Sequence, residues 1–225
     1  IPLGNYKVRL WNGVAYYISS LTLNVVATLN NIDLSSAVWQ KQELELGKLT
    51  TSNNSLTGNL QSTTNFSTTP FLAGLLNIPN LTLNDDFIIS CTFLGLGGHS
   101  SSNTINAAFG LSTSLNITGI VNAISYGVNV RQYQTKASAA IVGGSGQTAP
   151  LNTNLNTSFA FDLIISKSGN LLNIAILNPN SGSPVISTVT ITPSSQPISL
   201  AFFGECNGNQ AYTTSFNTVN VIKIN

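Results

Sequence analysis

Charge is what this sequence has least of. It holds eight Lys and Arg and seven Asp and Glu among 225 residues, or 7%, and its formal net charge is +1; ordinary soluble domains are roughly a quarter charged. A protein without an excess of basic residues is not expected to bind nucleic acid electrostatically. Without a run of basic residues, it is not expected to bind acidic lipid either. The 42% of apolar residues also argues against a charged disordered polymer.

Methionine and long apolar runs are missing as well. Because translation starts at Met, and Ile1 is too large to favour removal of that Met alone, we expect a longer precursor cut most simply at a signal peptide. The alternative is that residues before Ile1 were left out. No apolar run reaches the roughly 20 residues that span a bilayer. The predicted location is therefore extracellular, at the cell surface, with no membrane insertion.

Cysteine is scarce, and its number is even. Cys91 and Cys206 both lie in strand-like segments. In an exported chain such a pair predicts a disulfide, which would contribute on the order of 4 kcal/mol by closing a long loop. The alternative is two buried free thiols.

The abundant residues are neutral and polar. Asn (29), Ser (27) and Thr (24) make up much of the chain. Their amides and hydroxyls keep their hydrogen bonds at any pH, so we expect little loss of stability in acid. Combined with export, the Asn-x-Ser/Thr sequons predict N-linked glycans. The five sequons begin at Asn53, Asn65, Asn80, Asn116 and Asn156.

Apolar residues alternate with polar ones along most of the chain, and helical periodicity is nearly absent. This pattern predicts an all-β, two-sheet antiparallel sandwich of the jelly-roll kind. Ser168-Gly169-Asn170 predicts a tight hairpin, and the Ser/Thr/Asn-rich stretch Thr50–Thr69 predicts a long loop or an exposed ribbon. The clearest strands are Phe87–Leu94, Ile105–Leu111, Ile124–Val130, Ser158–Ser166, Leu171–Leu177, Val185–Thr192, Ile198–Phe203 and Thr213–Ile224.

Groups suited to catalysis are few and scattered. The single histidine, His99, lies in a Gly/Ser-rich loop. Glu43 and Glu45 would share one face of a strand, as paired carboxylates of a glycosidase would, but the third acid of such a run is replaced by Lys48. The adjacent Asp85 and Asp86 lack the further acids of a calcium site and favour a polar turn. We therefore expect no enzyme, no catalytic or metal site and no cofactor.

The N-terminal 30 residues differ from the rest by being long and nearly unbroken. We predict an N-terminal β-strand arm at 1–30 and a sandwich head at 31–225. In a chain with few charges to guard sheet edges, such an arm could be donated to a neighbouring subunit, giving a homopolymer. The alternative is that it pairs within its own domain. The donor side chains would be Tyr6, Val8, Leu10, Val14, Tyr16 and Ile18.

These features together resemble the thread-type surface-filament subunits of thermoacidophilic archaea. The likeness is one of composition and pattern: residues 1–29, the five sequons and the strand series after Asp85. It implies a β-sandwich head, a donated N-terminal strand, external N-glycans and a role in adhesion, biofilm or contact between cells. Two other functions fit the residues: a lectin-like jelly-roll carbohydrate-binding module, and a viral or cell-surface coat protein.

Overall fold

The computed structural model describes most of the chain, in fourteen separate ranges. The described residues form strands and turns and no helix. They are 4–11, 16–25, 27–30, 39–44, 46–52, 55–61, 72–97, 104–113, 124–133, 136–143, 147–155, 158–179, 184–206 and 211–224.

Strands follow one another at short intervals along the whole described chain. In order they are β1 (Gly4–Trp11), β2 (Tyr16–Val25), β3 (Ala27–Asn30), β4 (Gln40–Glu43), β5 (Lys48–Ser52), β6 (Ser55–Gln61), β7 (Leu72–Thr82), β8 (Asp86–Gly97), β9 (Thr104–Ser112), β10 (Tyr126–Tyr133), β11 (Lys136–Gly143), β12 (Gln147–Leu155), β13 (Ser158–Ser168), β14 (Leu171–Leu177), β15 (Val185–Thr190), β16 (Pro197–Cys206) and β17 (Ala211–Ile224).

Two large antiparallel sheets make up the sandwich. One has seven strands in the order β12-β11-β10-β9-β16-β7-β4, and the other has eight in the order β15-β14-β13-β8-β17-β6-β5. Strands that are neighbours in space are often distant in sequence, as in jelly rolls. The predicted all-β jelly-roll-like sandwich is confirmed.

The interior is a layer of phenylalanine rings contributed by both sheets. Phe216 of β17 stands at its centre, with its ring centroid 4.6 Å from Phe93, 4.1 Å from Phe109 and 5.6 Å from Phe202. Phe161 stacks on Phe93 at 4.9 Å. Each such pair contributes about 0.5–1.5 kcal/mol beyond the burial of its area. This layer fixes which face of each strand points inward.

Strand β17 joins the N-terminal region to the sandwich. Its first half pairs with β6, and its last residues pair with β3. The change of neighbour coincides with a bulge between Asn217 and Asn220, where Thr218 adopts a φ of 55°. β3, which falls inside the predicted arm at 1–30, is hydrogen-bonded to β17 of the eight-stranded sheet. The division of the chain after residue 30 stays a prediction.

Two local predictions are corrected. The stretch Thr50–Thr69, predicted to be a long loop or an exposed ribbon, holds the end of β5 and the whole of β6. It is not simply exposed, because Leu56 and Leu60 of β6 are fully buried. The Glu43–Leu46 strand ends at its first residue, because a turn follows in which Gly47 N donates to Leu44 O at 3.1 Å. The tight hairpin at Gly169, with its φ of 57°, is confirmed.

Candidate functional site

The face of the seven-stranded sheet that points away from the phenylalanine layer, which we call the outer face, carries the candidate site. Side chains alternate along each strand, so in β16 Phe202 points inward while Phe203 and Glu205 point outward. The same alternation puts Asn106 and Ala108 of β9 on the outer face.

A row of polar residues crosses this face near the end of β16. In the strand register Asn106 pairs with Glu205 on one side and with Arg131 of β10 on the other. Asn106 Nδ2 donates a hydrogen bond to Glu205 Oε2 at 3.3 Å. Glu205 is only 9% exposed, so its carboxylate is held at a fixed place on the sheet.

Two buried amide oxygens on this face have no hydrogen-bond partner. One is Oδ1 of Asn106, and the other is Oδ1 of Asn129, which lies diagonally across from it on β10. A buried acceptor without a partner costs about 1–3 kcal/mol. These two oxygens, with the neighbouring Glu205 carboxylate, are called the acceptor patch. A ligand rich in hydroxyl donors would satisfy the two amide oxygens.

The floor next to the acceptor patch is made of residues with little or no side chain. Gly110 of β9 and Gly127 of β10 face each other directly, and a Cβ on either would collide with the partner's backbone. Their neighbour on β16 is Ala201. The two strand backbones therefore approach each other closely here.

An apolar cluster borders this floor. Leu75, Ala201 and Phe203 are buried although they lie on the outer face, and Ile124 packs with them. Ile124 is set in place by the next residue, because Ser125 N donates to Leu111 O at 2.7 Å. The outer face thus combines fixed polar acceptors with an adjoining apolar surface.

The predicted disulfide is absent: Cys91 is a free, buried thiol. The strand arrangement explains why. Phe93 of β8 and Phe202 of β16 meet at Phe216, and Gly204 packs on Leu60, which is next to Tyr212 and so at the level of Gly97. The two strands therefore run in the same direction. Cys91 lies two residues before Phe93, and Cys206 lies four residues after Phe202. That offset is roughly 20 Å along the strands, too far for a bridge. Burial, with a smaller effect of Asp162, raises the pKa of the Cys91 thiol, which makes it unreactive.

The predicted donor residues lie in a hairpin and not in a single free strand. β1, with Tyr6, Val8 and Leu10, pairs antiparallel with β2, which holds Tyr16 and Ile18. Each strand therefore already shares one edge with the other. Val14 lies outside the described residues. Donation to a neighbouring subunit, and with it the filament or coat role, stays a prediction.

One of the predicted glycosylation sites can be placed. Asn80 is exposed at the end of β7 with a φ of 59°, and its carbonyl oxygen accepts a 2.9 Å hydrogen bond from Lys223 Nζ. The sequon's Thr82 hydroxyl donates to Asp85 Oδ2 at 2.9 Å. The other four sequons, at Asn53, Asn65, Asn116 and Asn156, lie outside the described residues.

Glu43 links β4 of the seven-stranded sheet to β5 of the eight-stranded sheet at one edge of the sandwich. Its carboxylate accepts a 2.7 Å hydrogen bond from Leu49 N on β5 and forms an ion pair of 3.3 Å with Lys48. The hydrogen bond from Leu49, helped by Lys48 and opposed by burial, lowers the pKa of Glu43. A carboxylate of this kind is a poor general acid. Glu45, its predicted companion, lies outside the described residues, as does His99.

The aspartates predicted to form a polar turn do so. Asp85 pairs with Lys223 at 2.8 Å, and Asp86 pairs with the buried Lys167 at 3.3 Å. Burial raises the pKa of Asp85, but the hydrogen bonds from Lys223 and Thr82 outweigh it, and the net shift is downward. In the described part of the chain, no three metal-ligating side chains converge.

Comparison with known proteins shows the fold. No protein-family model and no curated protein matches the chain. The CBM2 module of Lactobacillus casei BL23 phage J-1 evolved Dit matches with a TM-score of 0.56 at 13% identity, covering 98% of this chain and 97% of that chain. Lectin UEA-II complexed with galactose matches with a TM-score of 0.55 at 13% identity, covering 89% and 98%. The lectin from Bauhinia forficata in complex with GalNAc gives 0.52 at 12%, covering 88% and 97%.

The acceptor patch was missed at the level of sequence. Its two asparagines are inconspicuous in a chain with 29 of them. One signal was available: Glu205 is the single charged residue between Lys167 and Lys223, and it interrupts an apolar strand. Among the described residues, none forms a helix of the length and apolarity needed to cross a membrane.

Proposed function

We propose that the protein is an extracellular, non-enzymatic carbohydrate-binding module of the lectin-like sandwich type, and that its glycan binds at the acceptor patch. The observation that carries the proposal is the pair of unpartnered buried oxygens, Asn106 Oδ1 and Asn129 Oδ1, beside the fixed carboxylate of Glu205. Sugars present several hydroxyl donors at close spacing, which matches such a cluster.

The chemistry of the patch favours a neutral glycan. Its two unpartnered groups, Asn106 Oδ1 and Asn129 Oδ1, are uncharged acceptors, which suit the hydroxyl donors of a neutral sugar. The fold likeness to a carbohydrate-binding module and to galactose- and GalNAc-bound lectins supports this reading as an analogy.

Binding rather than catalysis is supported by how the carboxylates are used. Glu43, Asp85 and Asp86 are held in ion pairs or backbone hydrogen bonds at the margins of the sandwich. None of the three lies with Glu205 on the outer face. A site with one fixed carboxylate and amide acceptors suits recognition.

A glycan array probed with the wild type and two variants tests the proposal. Asn129→Leu removes an acceptor of the patch, and Asn173→Leu makes the same change on the eight-stranded sheet, where Asn173 Oδ1 accepts from Thr188 Oγ1 at 2.7 Å. We expect neutral glycans to bind wild type and Asn173→Leu, and binding to Asn129→Leu to fall at least tenfold. An array without hits, or equal binding by all three proteins, would refute it.

A further inference from the structure

Two strands end each of the two strand orders, and three of these four are protected against pairing with another strand. β5 begins with Lys48, whose side chain is 64% exposed, and β4 carries Lys41 and Glu43, both exposed. β12 contains Pro150, which has no N–H to donate. Charges and prolines are the usual guards of sheet edges.

The fourth outermost strand, β15, has no such guard. Its sequence, Val185–Thr190, consists of β-branched residues and one serine. No charged residue occurs between Lys167 and Glu205. Ile186 is 64% exposed, an unusual position for a large apolar side chain. β12 of the other sheet borders the same margin but is not hydrogen-bonded to β15.

We propose that β15 is a dimerisation edge at which a second copy of this chain adds its own β15 in antiparallel orientation. A second copy is the occupant because it presents the same neutral strand of six residues, so no charge opposes the approach from either side. Pairing would join the two eight-stranded sheets into one continuous sheet and satisfy the free backbone groups of both edges.

The alternation of β15 limits the register. Residues directly opposite each other in an antiparallel pair point to the same face of the sheet. Val185, Ser187 and Val189 are half-buried, and the residues between them are exposed. A half-buried residue must therefore lie opposite a half-buried one. This holds only if the twofold axis passes between one residue of β15 and the same residue of the second copy. With the axis at Ser187, Val185 lies opposite the partner's Val189, and Ile186 lies opposite the partner's Thr188. The valines of the two copies then extend the core side of the sheet together.

The ends of the strand limit the assembly. Pro184 precedes β15, and Pro193 follows three residues after its end, so pairing is confined to a short stretch. A twofold pairing also uses the same edge on both copies and closes on itself. We therefore expect a closed dimer that forms weakly and depends on concentration, and not an open filament.

Sedimentation equilibrium over a range of concentrations tests the dimer. The average mass of the wild type should rise from that of one chain, 23.7 kDa, toward twice that value. Ile186→Lys places a charge on the edge and should hold the mass at one chain. Thr50→Lys, the same residue introduced at an exposed position of the already guarded β5, should behave as the wild type.

Cross-linking tests the register and gives a positive signal. Ser187→Cys should form a disulfide-linked dimer on oxidation because the residue pairs with its own copy. Thr190→Cys is the control, since its copy would lie roughly 20 Å away along the partner strand. A wild-type mass that stays at one chain at every concentration, or cross-linking of the Ser187→Cys protein no greater than that of Thr190→Cys, would overturn the proposal.

Discussion

At the scale of single residues, polar groups in this protein divide into those that hold the fold and those left ready for a ligand. Glu43, Asp85 and Asp86 each have a lysine partner within 3.3 Å. The amide oxygens of Asn106 and Asn129 have none. Groups that weaken the free protein are typical of functional sites, where stability is given up for binding.

This difference predicts opposite effects of one substitution at two places. Asn129→Leu removes a buried acceptor that has no partner, so we expect the free energy of unfolding to stay equal or to rise by up to about 1 kcal/mol. Asn173→Leu breaks the hydrogen bond from Thr188, so we expect a fall of about 1 kcal/mol. Urea unfolding of both variants measures this. A larger loss for Asn129→Leu than for Asn173→Leu would mean that Asn129 is structural.

The lowered pKa of Glu43 predicts a pH-dependent contribution to stability. A carboxylate whose pKa is lower in the folded than in the unfolded state stabilises the fold above its unfolded pKa, about 4.3, and the effect disappears as the pH falls through the folded pKa. Glu43→Gln should therefore cost about 1 kcal/mol or less at pH 7, and nothing once both states are protonated near pH 2. Urea unfolding at the two pH values checks this, and a cost that is the same at both would contradict the assignment.

At the scale of elements, β17 is the strand on which the most other strands depend. It pairs with β6, β8 and β3, and its Phe216 contacts rings from both sheets. β17 therefore organises the sandwich through the fully buried side chain of Phe216.

Removing that ring should therefore be severely destabilising. We expect Phe216→Ala to lower the free energy of unfolding by about 3–5 kcal/mol, because it leaves a cavity that the surrounding rings cannot fill. Thr213→Ala in the same strand removes only the exposed hydrogen bond to Asn59 Oδ1 and should cost less than about 1 kcal/mol. Denaturant unfolding measures both, and a Phe216→Ala cost close to that of Thr213→Ala would show that the ring layer is not the core.

Strands whose two faces differ in polarity could be predicted from the sequence, and strands without that difference could not. β13, β14 and β17 lie where the sequence predicts them, and the described side chains of β13 alternate between buried and half-buried positions. β6 was missed because its inward positions, Leu56, Gly58 and Leu60, are separated by residues typical of loops. The Cys91–Cys206 bridge and the acceptor patch depend on which distant strands are neighbours. Periodicity along one strand holds no such information.

At the scale of the whole molecule, low charge is the property with the widest effect. When all seven carboxylates are protonated, the chain carries only the positive charges of eight Lys and Arg and one His over 225 residues. Self-repulsion, a main cause of acid unfolding, is correspondingly small.

We therefore expect the protein to stay folded at pH 2 in low salt. The stabilisation lost would be that of the paired carboxylates, chiefly Glu43 and Asp85, whose pKa values are lowered. Circular dichroism of the strands together with near-ultraviolet signals from the aromatic core would follow this. Loss of the near-ultraviolet signal at pH 2 or above would contradict it.

The claim on which the functional account depends is that a glycan binds at the outer face through the acceptor patch. The most direct measurement is a crystal structure of the protein with the neutral glycan that binds best on the array. The account predicts sugar hydroxyls within hydrogen-bonding distance of Asn106 Oδ1 and Asn129 Oδ1. A sugar bound elsewhere on the sandwich, with both amide oxygens still unpartnered, would contradict it.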